Sequence, residues 1–111
     1  MSEKISFKDW QKLDLRVGKI LDVKPHPNAD KLVLLEVDLG KELGERQLVA
    51  GIKQYYKLDE LKGKLCVVFT NLEAATIRGV KSEGMGLAAV NKDESKVMLL
   101  MPEKQIELGS K

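Results

Sequence analysis

RQLVAGIKQYYKLDELKGKLCVVF, Arg46 to Phe69, decides the fold, because its hydrophobic pattern changes twice within one short stretch. Arg46 to Ile52 reads as a short strand ending at Gly51. Lys53 to Lys62 then places Tyr55, Leu58 and Leu61 at helical spacing, and Gly63 is a fitting stop. LCVVF, Leu65 to Phe69, is apolar throughout and of strand length. The expectation is strand, helix, strand.

Working outward, Lys31 to Leu39 reads as the strand before it, with Val33, Leu35, Val37 and Leu39 in register, and Gly40 to Gly44 as a polar turn. PHPNAD, Pro25 to Asp30, cannot continue a strand, because it holds two prolines and an Asn–Ala–Asp turn. From Leu13 to Val23 the period is two. Leu13, Leu15, Val17, Leu21 and Val23 fall on one face and Asp14, Arg16 and Asp22 on the other, with Gly18 where a strand can bulge or coil. Ser6 begins a short helix: Ser6 and Asp9 have capping-box spacing, and Ile5 and Trp10 stand at the positions of a hydrophobic staple, so Trp10 is expected to pack. Toward the carboxyl end, Met85 to Val90 and Val97 to Met101 read as strands, the latter ending at Pro102. Five or six short strands with one helix between the third and fourth fit an all-β protein. They suit the OB-fold, a five-stranded Greek-key barrel, here with a short N-terminal helix and a helix between strands 3 and 4. A swapped-order sandwich explains the strands but leaves the helix unaccounted for. Residues 1–111 are expected to form one domain.

The apolar fraction of 43% suffices for one core, so neither a disulfide nor a structural metal is required. The lone cysteine, Cys66, sits among apolar neighbours as a small buried hydrophobe and fits a reducing compartment. No signal-like segment opens the chain and no apolar run approaches a membrane span, so the protein is expected to be soluble and cytoplasmic, with no membrane partner. His26 is the only histidine and lies between two prolines, which excludes a Ser–His–Asp arrangement or a His-rich metal site within one chain. No P-loop or dinucleotide fingerprint is present. No catalytic residue, metal site or cofactor is expected. Nineteen basic and seventeen acidic residues alternate to a net +2, so binding of nucleic acid must come from a few cations gathered on one face.

NLEAATIRGVKSEGMGLAAV, Asn71 to Val90, is the stretch that suggests such a face. It combines an amide, two cations, a hydroxyl, a thioether and three glycines between apolar runs, a mixture that suits RNA contact. It suits equally a hairpin whose glycines serve the turns and whose charges are merely solvated.

Five segments taken together resemble one family: DLRVGKIL (Asp14 to Leu21), HPNADKL (His26 to Leu32), VDLG (Val37 to Gly40), RQLVAGI (Arg46 to Ile52) and RGVKSEGMGLAA (Arg78 to Ala89). It is the tRNA-binding domain found at the carboxyl end or as the beta subunit of methionyl-tRNA synthetase, and as a stand-alone tRNA-binding protein. The resemblance runs over about residues 5 to 102 and implies an OB-fold that binds tRNA by backbone shape. In the family pattern an Asn, a basic residue and Ser-x-Gly-Met precede the last barrel strand; these fall on Asn71, Arg78 or Lys81, Ser82, Gly84 and Met85. Asn71 and Ser82 suit a 2′-hydroxyl or base edge, Arg78 and Lys81 phosphate, Gly84 a close backbone approach, and Met85 either a base contact or core filling. Lys31 and Lys53 are candidate outer phosphate contacts, or solvated lysines. On this reading Ser82→Ala and Met85→Ala weaken tRNA binding and spare the thermal midpoint.

The resemblance further implies a homodimer joined through segments outside the barrel, for which Val97 to Leu108 supplies apolar material. It also implies a synthetase catalytic chain as a partner: the synthetase signatures HIGH and KMSKS do not occur here, so the chain would aid aminoacylation in trans. One departure stands out. Glu73-Ala74-Ala75 replaces the basic residues and proline of several relatives, and a carboxylate there repels phosphate. The alternative function is a chaperone-like protein binding exposed peptides on the same barrel. Cations around Ser82 and Met85 would favour tRNA, a broad apolar groove the peptide.

Overall fold

Ser6 accepts a hydrogen bond from the Asp9 amide at 3.1 Å and caps helix α1, Phe7–Trp10, in the computed structural model, which describes residues 3–111. The cap is as expected, but the staple is not: Trp10 is 51% exposed and no residue of α1 is buried. A helix of one turn offers no apolar face wide enough to dock.

Strand β1, Leu15–Pro25, pairs antiparallel with β4, Leu65–Phe69, through Leu15 to Lys19, and with β2, Val33–Asp38, through Lys19 to Pro25. Its register shifts between Ile20 and Asp22, so Leu21 is the extra residue of a bulge. One inserted residue moves every later side chain to the opposite face. Gly18 and Ile20 therefore point inward before the bulge and Val23 packs on the core after it. This corrects the expected single face: fully buried Ile20 takes the place assigned to Leu21, and Val17 is buried outside the central cluster. Arg16, expected toward solvent, is buried as well. Its guanidinium donates to Asp14 Oδ1 at 2.8 Å, Glu42 Oε2 at 3.0 Å and the Gly109 carbonyl at 3.3 Å.

β2 pairs along its whole length with β3, Glu45–Ala50, from Val33 opposite Ala50 to Asp38 opposite Glu45. The helix expected over Lys53 to Lys62 shrinks to α2, Leu58–Leu61. The reason lies in the two tyrosines before it. Tyr55 donates its hydroxyl proton to the Glu94 carbonyl at 3.0 Å, and the Tyr56 hydroxyl accepts from the Leu99 amide at 3.1 Å. Those tethers hold residues 53–56 in turns. Leu61 of α2 is fully buried in the cluster of Ile20, Val33, Val37, Leu48 and Val68, where each such side chain contributes about 1.5–3 kcal/mol. Cys66 is buried as expected; its thiol donates to the Gly18 carbonyl at 3.6 Å, and burial pushes its pKa up to about 11.

Beyond β4 the chain forms a hairpin, β5 (Ala75–Ile77) and β6 (Val80–Ser82), with Arg78 and Gly79 at its tip at φ 55° and 90°. The strand expected over Met85 to Val90 is split into β7, Met85–Gly86, and β8, Ala88–Val90, because Leu87 changes sheets. β7 pairs with β4, whereas β8 pairs with β9, Val97–Leu99.

The main sheet runs β3-β2-β1-β4-β7, and its ends meet to give the nearly closed OB-fold barrel, with helices before β1 and between β3 and β4. The closing seam is sparse. The Glu83 amide donates to the Gln47 carbonyl at 2.8 Å, and the Ser82 hydroxyl accepts from the Val49 amide at 3.0 Å while donating to the Gly84 carbonyl at 2.9 Å. A side chain thus stands in for a missing rung of the ladder. Among the described residues no helix is long and apolar enough to cross a membrane.

Candidate nucleic-acid interface

The HPN segment explains how the hairpin tip is held. Proline on each side restricts the backbone around His26, whose side chain is buried. His26 Nδ1 accepts from the Asn28 amide at 2.9 Å, so the ring proton is on Nε2, which donates to the Ile77 carbonyl at 2.9 Å. Asn28 Nδ2 donates to the Arg78 carbonyl at 3.0 Å, and Arg78 Nη2 donates to the Asn28 carbonyl at 3.2 Å. The Lys53 amide donates to the Lys31 carbonyl at 3.4 Å. The chain segments that carry Lys31, Lys53 and Arg78 therefore adjoin along one edge of the barrel. None of the salt bridges among the described residues involves these three cations; those bridges are Lys12–Asp9, Arg16–Asp14 and Arg16–Glu42.

The remaining candidates divide. Lys81 is exposed beside Thr76 on the face of the hairpin opposite Ser82, directed away from the cleft. Asn71 spends both ends of its amide within the protein: Oδ1 accepts from the Asp14 amide at 2.8 Å, and Nδ2 donates to the Lys12 carbonyl at 2.7 Å. Ser82 is 4% exposed, with its hydroxyl committed to the seam. Gly84 has φ 146°, and a Cβ there would meet the Phe69 carbonyl at 3.0 Å, so its close approach is to β4 of its own chain. Met85 is 44% exposed and lines a cleft.

That cleft, about 490 Å³, opens between the β5–β6 and β8–β9 hairpins. Ile52, Leu72, Ile77, Met85, Val90 and Leu99 supply much of its apolar lining, and the only charged side chains on it are Glu73 and Glu94. The cations thus lie along an edge, and the cleft itself is apolar with acidic points.

Elsewhere on the surface cations and carboxylates are interspersed. On the β2–β3 face a hydrogen bond with Glu36 pushes the Glu45 carboxyl up, and the charges of Glu36 and Asp38 act in the same direction. The Arg16 hydrogen bonds hold the Asp14 and Glu42 carboxyls below their ordinary range and keep both ionised. Among the described residues no three His, Cys, Asp or Glu side chains gather to hold a metal ion. Reading the sequence missed His26 and Asn28 as parts of the site, although the paired prolines marked a rigid segment. It also missed Arg16, whose alternation pointed outward.

The OB-fold barrel is an architecture that binds oligonucleotides and oligosaccharides on its sheet face and loops. The chain belongs to the family described as "Putative tRNA binding domain", whose profile matches residues 15–111, and the domain is non-catalytic. The expected resemblance is thereby confirmed. The methionine–tRNA ligase of Pyrococcus horikoshii is 56% identical over 109 residues, which cover 98% of this chain and 14% of that enzyme. The chain therefore spans only a small part of the ligases it matches. Two solved structures match almost end to end. A MetRS related protein from Pyrococcus horikoshii has a TM-score of 0.89 at 30% identity, with 98% and 97% of the two chains covered. The chaperone CsaA from Bacillus anthracis has a TM-score of 0.86 at 31% identity, with 97% of each chain covered.

Proposed function

We propose that this chain binds tRNA through shape and backbone contacts, in the cytoplasm, as a single domain that either stands alone or serves a methionyl-tRNA synthetase catalytic chain in trans. The observation that carries the reading is the edge formed by Lys31, Lys53 and Arg78, cations that share no salt bridge with the protein's own carboxylates. Phosphates are their natural partners, and Met85 in the adjoining cleft offers an adaptable surface to an unstacked base. Lys81 adds a contact only where the ligand wraps the outer face of the hairpin. Ser82 and Gly84 act indirectly, by holding the ribbon in place, and Asn71 by tying the end of β4 to the segment before β1. Family membership and the likeness to synthetase-related proteins support the same reading.

The test is an electrophoretic shift with folded tRNA, unfolded tRNA and an apolar peptide as competitor. Folded tRNA is expected to bind best, with log affinity falling against log salt at a slope of about −2 to −3 for three phosphate contacts. Equal binding of unfolded tRNA would remove recognition by shape. Displacement by the peptide would favour the second reading, a chaperone-like peptide binder. That reading draws on one specific observation: the cleft is apolar, carries Glu73 and Glu94, and has no cation on its lining. It suits an apolar segment with basic residues.

The chain is further proposed to form a homodimer. Ile5, Phe7, Trp10 and Leu13 near the amino end, and Met98, Leu100, Met101 and Ile106 near the carboxyl end, are all exposed and apolar. Light scattering at micromolar concentration is expected to give twice the chain mass of 12.4 kDa; a value equal to the chain mass removes the proposal.

A further inference from the structure

We infer that His26 and Asn28 are positioning residues for RNA binding: their clasp on the β5–β6 tip sets where Arg78 presents its charge. The inference rests on the proposed contact between Arg78 and RNA. The hairpin is a two-stranded piece of three residues a side, outside the five-stranded sheet, and such a ribbon is marginal on its own. Three hydrogen bonds at its tip run to the HPN segment, from His26 Nε2 to the Ile77 carbonyl, from Asn28 Nδ2 to the Arg78 carbonyl and from Arg78 Nη2 to the Asn28 carbonyl. Arg78 itself has φ 55°, a left-handed conformation that is uncommon outside glycine, asparagine and aspartate. The clasp and the glycine that follows hold that conformation. The third bond uses one guanidinium nitrogen on Asn28 and leaves the rest of the fork for a phosphate. His26 is suited to its part because it is buried, and its two ring nitrogens satisfy one donor in its own loop and one acceptor in the hairpin at once.

No amide side chain does both jobs. Asparagine at position 26 keeps an acceptor near Nδ1 and the bond from Asn28 but cannot reach Ile77. Glutamine carries its donor to where Nε2 stands. The experiment measures folded-tRNA affinity of the full chain over a salt series for His26→Asn, His26→Gln, Arg78→Gln and the double variant His26→Asn/Arg78→Gln. Arg78→Gln is expected to weaken binding about tenfold and to make the salt slope shallower by about one. His26→Asn is expected to reproduce both effects, His26→Gln to recover most of the affinity, and the double variant to bind no more weakly than Arg78→Gln alone. If Arg78→Gln weakens binding and His26→Asn does not, the inference fails while the Arg78 contact stands. If Arg78→Gln binds normally, the contact itself is wrong and the inference falls with it. Should His26→Asn not fold, Asn28→Ala carries the test, since Asn28 is exposed and its side chain reaches only the Arg78 carbonyl. About a threefold loss with a shallower salt slope supports the inference, and unchanged binding overturns it.

Discussion

Ser82→Ala is expected to lower the thermal midpoint by about 10–20 °C, measured by circular dichroism or calorimetry. The hydroxyl is 4% exposed and makes two bonds, accepting from Val49 and donating to Gly84. Removing it strands a buried amide and a buried carbonyl, each costing about 1–3 kcal/mol. The lower part of their sum of about 2–6 kcal/mol, about 2–4 kcal/mol, corresponds in a domain of this size to the stated fall in midpoint. The loss lies at the barrel seam, where the Glu83 amide to the Gln47 carbonyl is the backbone bond that remains. This reverses the expectation that the substitution would spare stability, since that expectation placed the hydroxyl on the RNA. A midpoint within about 2 °C of the parent would show that the seam does not depend on the hydroxyl.

Gly18→Ala is expected to destabilise the protein by about 3 kcal/mol, a fall in midpoint of about 12–20 °C. A Cβ at this position would lie 2.5 Å from Val37 Cγ1, 2.9 Å from Leu39 Cδ2 and 3.2 Å from the Asp38 carbonyl oxygen. Both side chains are fully buried, so neither can step aside into solvent. The remedy tests the cause. Val37→Ala removes the nearest methyl, and the double variant Gly18→Ala/Val37→Ala should lose less than the two single variants summed, as coupled neighbours do. Additive losses, or a Gly18→Ala chain that melts with the parent, would mean that β1 and β2 do not cross as tightly as described.

The parts of the fold legible in the sequence were those set by local pattern. LCVVF became β4 with unchanged bounds, and Ser6 capped α1, because apolar runs and caps act within a few residues. The face of β1 differs from the expected one because the bulge falls at Leu21 and not at Gly18; a single unpaired residue exchanges inside for outside. Trp10 and the shortened α2 failed for a different reason. Helical spacing says which residues could face a core, and Tyr55, Leu58 and Leu61 do so, but the Tyr55 and Tyr56 hydroxyls also bond to Glu94 and Leu99 some forty positions away. At the candidate site the charge of Lys31, Lys53 and Arg78 is legible in the sequence, and the fold makes the segments that carry them adjoin. Asn71 and Ser82 were chosen for hydrogen-bonding capacity, but residue type does not reveal that this capacity is already used. The role of His26 is not legible in the sequence, since its partner in the hairpin, the Ile77 carbonyl, lies 51 residues away in the chain.

The hairpins that wall the cleft are hung on the closed barrel by side-chain clasps and tyrosine tethers, and they are not continuations of its sheet. The β8–β9 hairpin sends Val97 into the hydrophobic cluster and packs Ala88 and Leu99 against it, whereas the exposed residues of the β5–β6 tip, Arg78 and Gly79, lie outside that cluster and can be recharged without changing its neighbours. Such a scaffold can change its cargo without refolding its body. What the ribbon presents to a ligand is thus set apart from what keeps the barrel folded.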